Sequence, residues 1–366
     1  MKKYAMNNLT IMQFIFLIHG AQVGMGVMSL PRELAEIAGT DGWMSLLIGW
    51  ALNIAASLII IRIFKHYPDD TLYDLLRRLF GKIFSLVFLI PITLYFAYYG
   101  WFIQVKALLY IKAWFLPMTS DYIIMALFAI STLLVVRSGW TVLGRYSELV
   151  FYLTFAMPFI FLLVLKESYW LHLLPFFKEG VMPVLKSVNK TAYSLVGFEI
   201  TFFLYPFLNK KKWAPLGVIA ANSLTAMLYI YVTVICFVFF SPDEITHYNQ
   251  PLLSLLKVFE FRFLERFDLI FLAFYLLVVS TSWAPYLFCA AFSTSQMLGK
   301  QDHSPYAIVL LVISVLAVAF LKPSWDETSI WQTWLGQFSI GIAYLFPVLL
   351  WLYVIIYRRF RKEVLP

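Results

Sequence analysis

The chain has 366 residues, 62% of them hydrophobic and only 13% charged, with a net charge of +8. A soluble domain carries charge on about a quarter of its residues, so a water-exposed globule is excluded. The basic excess is divided among short segments between apolar runs, which reads as topology signals and not as a nucleic-acid face.

The stretches 46–61, 83–105, 122–136, 216–240, 267–292 and 306–321 are nearly uncharged. Most are long enough to cross a hydrocarbon core about 30 Å thick. In chain order, about ten spans are expected, near 9–37, 43–64, 83–116, 122–139, 145–166, 184–208, 213–240, 266–298, 305–321 and 337–357. Lys2 and Lys3 before the apolar run Ile11 to Ile18 imitate a signal peptide, but the membranous remainder argues for a first span. Between the second and third spans, Pro68 to Lys82 sets Leu72, Leu75, Leu76 and Leu79 against Asp74, Arg77 and Arg78. That pattern predicts a short helix at the membrane interface, and Glu244 to Glu260 reads similarly before the eighth span.

Trp43, Trp114, Trp140, Trp170, Trp213 and Trp334 fall at span ends, as in an aromatic belt. With the N-terminus inside, the larger share of the 28 lysines and arginines is inside too, including Arg62, Lys65, Arg77, Arg78, Lys82, Arg358, Arg359, Arg361 and Lys362. Both termini are therefore expected in the cytoplasm. Cys236 and Cys289 stand in different spans without metal-ligand spacing, so neither a metal site nor a cofactor is expected. The whole chain, 1–366, reads as one membrane domain.

Two spans carry marks of interruption. The first contains Gly20-Ala21-Gln22-Val23-Gly24-Met25-Gly26, followed by Pro31. Each glycine weakens a helix by about 1 kcal/mol relative to alanine, and an unwound backbone inside a bilayer must face protein or a bound solute. The same glycines would also suit a close-packed helix face. The sixth span contains Val196-Gly197-Phe198-Glu199, with Pro206 beyond. Glu199 is the one carboxylate expected deep within a span. It suits cation binding, proton relay or a ligand amine, or else a structural pairing with backbone, Lys106 or Arg145.

Interruptions five spans apart fit two five-helix repeats of opposite orientation, about 9–166 and about 184–357, with a site between them near the midplane. Half-helix N-termini would face an anionic group such as an amino-acid carboxylate. Free carbonyls and Glu199 would suit an ammonium or a cation. Tyr95, Tyr98, Tyr99 and Gln104 in the third span, and Ser280-Thr281-Ser282 in the eighth, are candidates to line the cavity. Packing, or hydroxyls bonded to their own helix, is the alternative for each.

Gly24-Met25-Gly26-Val27-Met28-Ser29-Leu30-Pro31 with Gly39-Thr40-Asp41-Gly42-Trp43, and Gly197-Phe198-Glu199 with Tyr205-Pro206 and the lysine-rich loop beyond, resemble the endospore germination permeases. These are the GerAB-type B subunits of nutrient germinant receptors, in the amino acid–polyamine–organocation superfamily. The resemblance runs along essentially the whole chain. It implies an all-α polytopic membrane fold with a LeuT-like 5+5 inverted repeat and broken helices 1 and 6. It also implies a place in the spore inner membrane, partner A and C subunits, and the sensing of a nutrient, commonly an amino acid, by a ligand-gated ion conductor. The substrate-binding set expected on this basis is Gln22, Gly24, Gly26, Tyr98, Tyr99, Val196, Gly197, Phe198 and Thr281, with Glu199 as the ion- or proton-coupling group. A proton- or cation-coupled amino-acid transporter is the competing reading. A membrane enzyme lacks a nucleophile–base pair.

Overall fold

The first helix, α1 (Ile11–Gln22), begins where Thr10 and Gln13 cap each other: each side chain bonds the other's backbone N–H at 3.2 Å. It stops at Gln22, and after three intervening residues α2 (Gly26–Ala38) starts with no side-chain cap. A computed structural model describes residues 8–258 and 266–362. Lys2 and Lys3, residues 259–260 of the second amphipathic stretch, and the side chains of Arg361 and Lys362 lie outside what it describes.

A short turn leads to α3 (Trp43–Lys65), then α4 (Leu72–Trp114), α5 (Asp121–Val136) and α6 (Trp140–Thr154). Beyond α6 the chain tightens into a 3₁₀ run, Met157–Glu167, because Pro158 has no N–H to continue the α ladder. Next come α7 (Val181–Ser194), a 3₁₀ turn at Phe198–Ile200, α8 (Thr201–Leu204) and a second 3₁₀ turn at Tyr205–Phe207. The chain continues through α9 (Ala214–Phe239), α10 (Glu244–His247), α11 (Pro251–Leu256), α12 (Phe267–Met297) and α13 (Ser304–Leu321). It ends with α14 (Trp325–Ile340), a π turn at Gly341–Leu345 and α15 (Phe346–Lys362). Among the described residues, seven helical stretches are long and apolar enough to cross a membrane, and Ile11–Gln22, Asp121–Val136 and Phe198–Phe207 are shorter apolar helices.

Two expectations need correction, and one is met with a difference. The amphipathic stretch before the third span is a short helix of its own, joined to the rest of α4 only across a non-helical break at Gly81, where φ is 80°. Its leucines 72, 75, 76 and 79 are buried against protein while Arg77 and Arg78 stay exposed. Trp140, expected in the aromatic belt, is fully buried with its ring 4.3 Å from that of Phe288. Gly139, at φ 81°, turns the chain so that α6 starts five residues early and takes Trp140 inward. The last span starts at Trp325 and not near 337, because Ser324 and Glu327 form a capping box that tolerates a charged first turn.

Helix α12 lies against α4 along its length and also touches α1, α5, α6 and α13. Almost every residue from Thr281 to Phe292 is buried, so α12 is the central post of the bundle. Helix α1 packs on α6, α9 and α12, which brings its broken end to the middle of the protein. At the other end of α1, Leu9 N–H donates to Phe207 O (2.9 Å) and Asn209 N–H to Leu9 O (3.0 Å), a parallel bridge to the end of the sixth span.

A buried crossing of two broken helices

The two interruptions meet. Gly197 has φ 137°, and a Cβ placed there would lie 2.6 Å from Gln22 N and 2.7 Å from Ala21 C. Only a glycine permits that approach of backbone to backbone. Gly20 makes a second close contact: a Cβ there would be 2.6 Å from Thr281 Oγ1. Gly24 and Gly26 are different, since added Cβ atoms would find their first neighbours at 3.7 Å, Ser282 Oγ and Tyr229 Oη. Their role is to weaken the helix, not to admit a neighbour.

Unwound backbone in this setting must be satisfied, and side chains of four helices do so. Ser282 donates to Gly20 O (2.7 Å) and Val23 O (2.8 Å), Tyr229 to Gln22 O (3.2 Å) and Tyr275 to Gly24 O (2.6 Å). On the sixth span, Leu195 O accepts from Gln22 Nε2 (2.7 Å) and Asn53 Nδ2 (2.8 Å). The Gln22 amide is otherwise held by Asn222 Oδ1 (2.9 Å) and Thr225 Oγ1 (2.9 Å), and Thr225 reaches His19 Nδ1 at 2.9 Å. Tyr344, in the π turn, donates to Asn53 Oδ1 and to Ala192 O (3.0 Å). Gln22 is thus a clasp between the two breaks, with both amide hydrogens committed to protein.

Glu199 is completely buried. Its Oε1 accepts from Tyr286 (2.5 Å) and Tyr95 (3.0 Å), and its Oε2 from the Gly197 N–H (2.8 Å). Neither Lys106 nor Arg145 pairs with it: the Lys106 ammonium lies over the Phe102 and Trp325 rings, and Arg145 is exposed. Tyr99 stacks on Tyr286 with ring centres 4.4 Å apart, which places it in this cluster. Tyr98 is 36% exposed and turns instead to Trp101 and Phe102. Val196 and Phe198 are buried at the break, the Phe198 ring 5.3 Å from that of Tyr344. Thr281 bonds its own helix at Val278 O (2.6 Å), so in the Ser-Thr-Ser run it is Ser282 that serves the break. Gln104 reaches Thr132 (3.3 Å), away from the crossing.

Asn53, Asn222, Thr225, Tyr229, Tyr275 and Tyr344 were missed from sequence. The two asparagines carried a signal, as amides inside otherwise apolar spans. The tyrosines carried none that separates them from packing residues. A cavity of about 10 Å³, the room of a single water, adjoins the break between Met25, α4 and α12, lined among others by Tyr110, Leu272 and Tyr275. Among the described residues, no three His, Cys, Asp or Glu side chains come together as a metal site would require.

An all-helical membrane bundle with polar, interrupted helices crossing at its centre has the build of a transporter or membrane receptor rather than an enzyme. Residues 8–327 match the family model described as spore germination protein, and the chain belongs to that family. It is 24% identical over 342 residues to the spore germination protein GerQB of Bacillus cereus, covering 92% of this chain and 93% of that one. With YndE of Bacillus subtilis (strain 168) the identity is 28% over 320 residues, 85% and 87% of the two chains. The fold is that of LeuT-type transporters. A substrate-bound, outward-open Na+-coupled sialic acid symporter superposes with a TM-score of 0.66 at 13% identity, covering 93% of this chain and 79% of that one. MhsT in complex with L-phenylalanine gives 0.57 at 15% identity, with 94% and 87% covered.

Proposed function

We propose that this chain is the nutrient-sensing B subunit of a spore germinant receptor, binding a small amino acid at the crossing of the two broken helices. The observation that carries this reading is the contact of Gly197 with Gln22 and Ala21, which sets two unwound backbones side by side in the protein's centre. The uncapped start of α2 offers N–H groups and a positive dipole end to a carboxylate. Carbonyls 20, 23 and 24 keep a second lone pair for an ammonium group, and the apolar cavity beside Met25 and Tyr275, with the room of a single water, would take a methyl-sized side chain. Gly24, Gly26 and the backbone of Val196 to Phe198 would enclose the ligand.

In this reading the protein sits in the spore inner membrane with both termini cytoplasmic, and A and C subunits read the ligand-induced shift of conformation, as a ligand-gated ion conductor. One feature favours a second reading: Glu199 is buried beside the break without a cationic partner among the described residues, as expected of a coupling group in a proton- or cation-driven transporter.

Purified protein in liposomes separates the two. Labelled L-alanine, L-valine, L-leucine and L-phenylalanine are tested for binding and, separately, for uptake driven by a proton or sodium gradient. Saturable binding without accumulation is the expected result. Accumulation would replace the sensor with a transporter, and the absence of both would remove the amino-acid site.

A further inference from the structure

Tyr95 has one hydroxyl proton and two acceptors in reach. Glu199 Oε1 lies 3.0 Å away on the sixth span, and Ser339 Oγ lies 3.2 Å away on α14. Ser339 is free to accept, since its own proton goes to Leu335 O at 2.7 Å. The three groups are buried and lie on three different segments. The titratable groups facing Glu199 are Tyr95 and Tyr99 on α4, Tyr286 and Cys289 on α12, and Tyr344 in the π turn. Helix α1 offers only His19, whose ring is bound to Thr225, and α3 has no titratable residue before Arg62. The surroundings of Glu199 are therefore weak acids and hydroxyls. They can hold it either as an anion taking three donors or as a neutral acid donating once.

We propose that Glu199 is a proton-exchange site and that Tyr95 relays its charge state to α14. Ionised, the carboxylate takes the Tyr95 and Tyr286 hydroxyls and the Gly197 N–H. On uptake of one proton from water, the new Oε1–H donates to the Tyr95 oxygen, and the Tyr95 hydroxyl turns to Ser339. One O–H bond forms and no other covalent bond changes. The Gly197 N–H then loses a charged acceptor, and hydrogen bonds to charged groups are about twice as strong as neutral ones. Proton uptake therefore loosens the sixth span where Gly197 presses on Gln22 and Ala21. This regulates the crossing, and its consequence for a ligand rests on the function proposed above.

Infrared difference spectroscopy of the purified protein in lipid nanodiscs tests the relay without any ligand. Wild type should show a protonated-carboxyl C=O band that appears and vanishes with pH and that Glu199→Gln removes. Tyr95→Phe takes a donor from the ionised form and an acceptor from the neutral one, and the bond to the charged group, about twice as strong, is the greater loss; Ser339→Ala takes only the acceptor that Tyr95 uses beside the neutral form. The two variants should therefore displace the transition of that band in opposite directions. Should Glu199→Gln fail to fold, these two milder variants carry the test alone. No titrating band over the whole pH range in which the protein stays folded would overturn the site. Displacement in the same direction, or none, would overturn the relay. Binding of labelled L-alanine, L-valine and L-phenylalanine, measured on both sides of the transition, should depend on pH in wild type and not in Glu199→Gln. Binding indifferent to the transition would overturn the regulatory link and leave the ligand site standing. Absence of binding at every pH would count against the ligand site alone, because the infrared result is independent of it.

Discussion

Gly197 lies against the backbone of α1 with no room for a Cβ, and it does so in a backbone conformation that a side chain resists. An alanine there meets the backbone of Ala21 and Gln22 at 2.6–2.8 Å, where no flexible end can yield. Backbone strain of this kind costs about 1–3 kcal/mol, and overpacking adds about 1–3 kcal/mol more. Gly197→Ala should therefore lower the thermal unfolding temperature in detergent markedly, whereas Gly24→Ala, with only Ser282 Oγ at 3.7 Å, should leave it within the error of measurement. Equal behaviour of the two would mean that the breaks do not touch. At this scale Glu199 and Gly197 were legible, as the lone deep carboxylate and the glycine beside it. Gln22 was expected to bind substrate and not to be a clasp, and Thr281 could not be told from Ser282. Adjacent residues on a helix point about 100° apart, and the rotation of α12 about its axis is set by packing against α4, which no local pattern encodes.

At the scale of elements, apolar runs located nearly every span, because hydrocarbon length dictates helix length. They failed where backbone chemistry intervenes: at Pro158 and at the charged but well-capped start of α14. The π turn at Gly341–Leu345 belongs with these. Pro347 lacks an N–H and its ring crowds the carbonyl four residues back, at Ala343, and a widened turn just before it relieves that clash. The widening also sets Tyr344 against Asn53 and Ala192, so the proline acts on the crossing from a distance. In Pro347→Ala the helix can return to regular α geometry and swing Tyr344 off its partners. Loss of a net hydrogen bond of about 1 kcal/mol corresponds to roughly fivefold weaker binding of the amino acid found in the liposome assay. Thermal stability should hold or rise, since the helix gains an N–H. Unchanged affinity would show that Tyr344 does not depend on the π turn.

For the molecule as a whole, the crossing is closed at both ends. On one face Glu33 pairs with Lys190 at 3.4 Å, and Arg32 reaches Glu36 and Asn249. On the other, the Leu9 bridge ties the start of α1 to residues 207–209, and Lys211 pairs with Asp69 at 2.8 Å. Arg32 and Glu36 lie one turn apart on α2, but none of the other closures was legible, because each joins segments far apart in the chain whose meeting depends on the finished bundle. Movement of a solute or an ion through the centre needs one face to part, and the Asp69–Lys211 pair is the part of the second closure that charge alone can test. Asp69 is largely exposed, and exposed pairs contribute about 1 kcal/mol or less, so Asp69→Lys should raise the open population by at most about fivefold. Cys289, free and buried beside Glu199, reports it: in a Cys236→Ser background, the rate of maleimide labelling follows access to the centre. The rate should rise severalfold in Asp69→Lys and return to its starting value in Asp69→Lys with Lys211→Asp. A rate that rises equally in the single and double variants would trace the effect to Asp69 alone, and an unchanged rate would leave the Leu9 bridge as the element that holds this face shut.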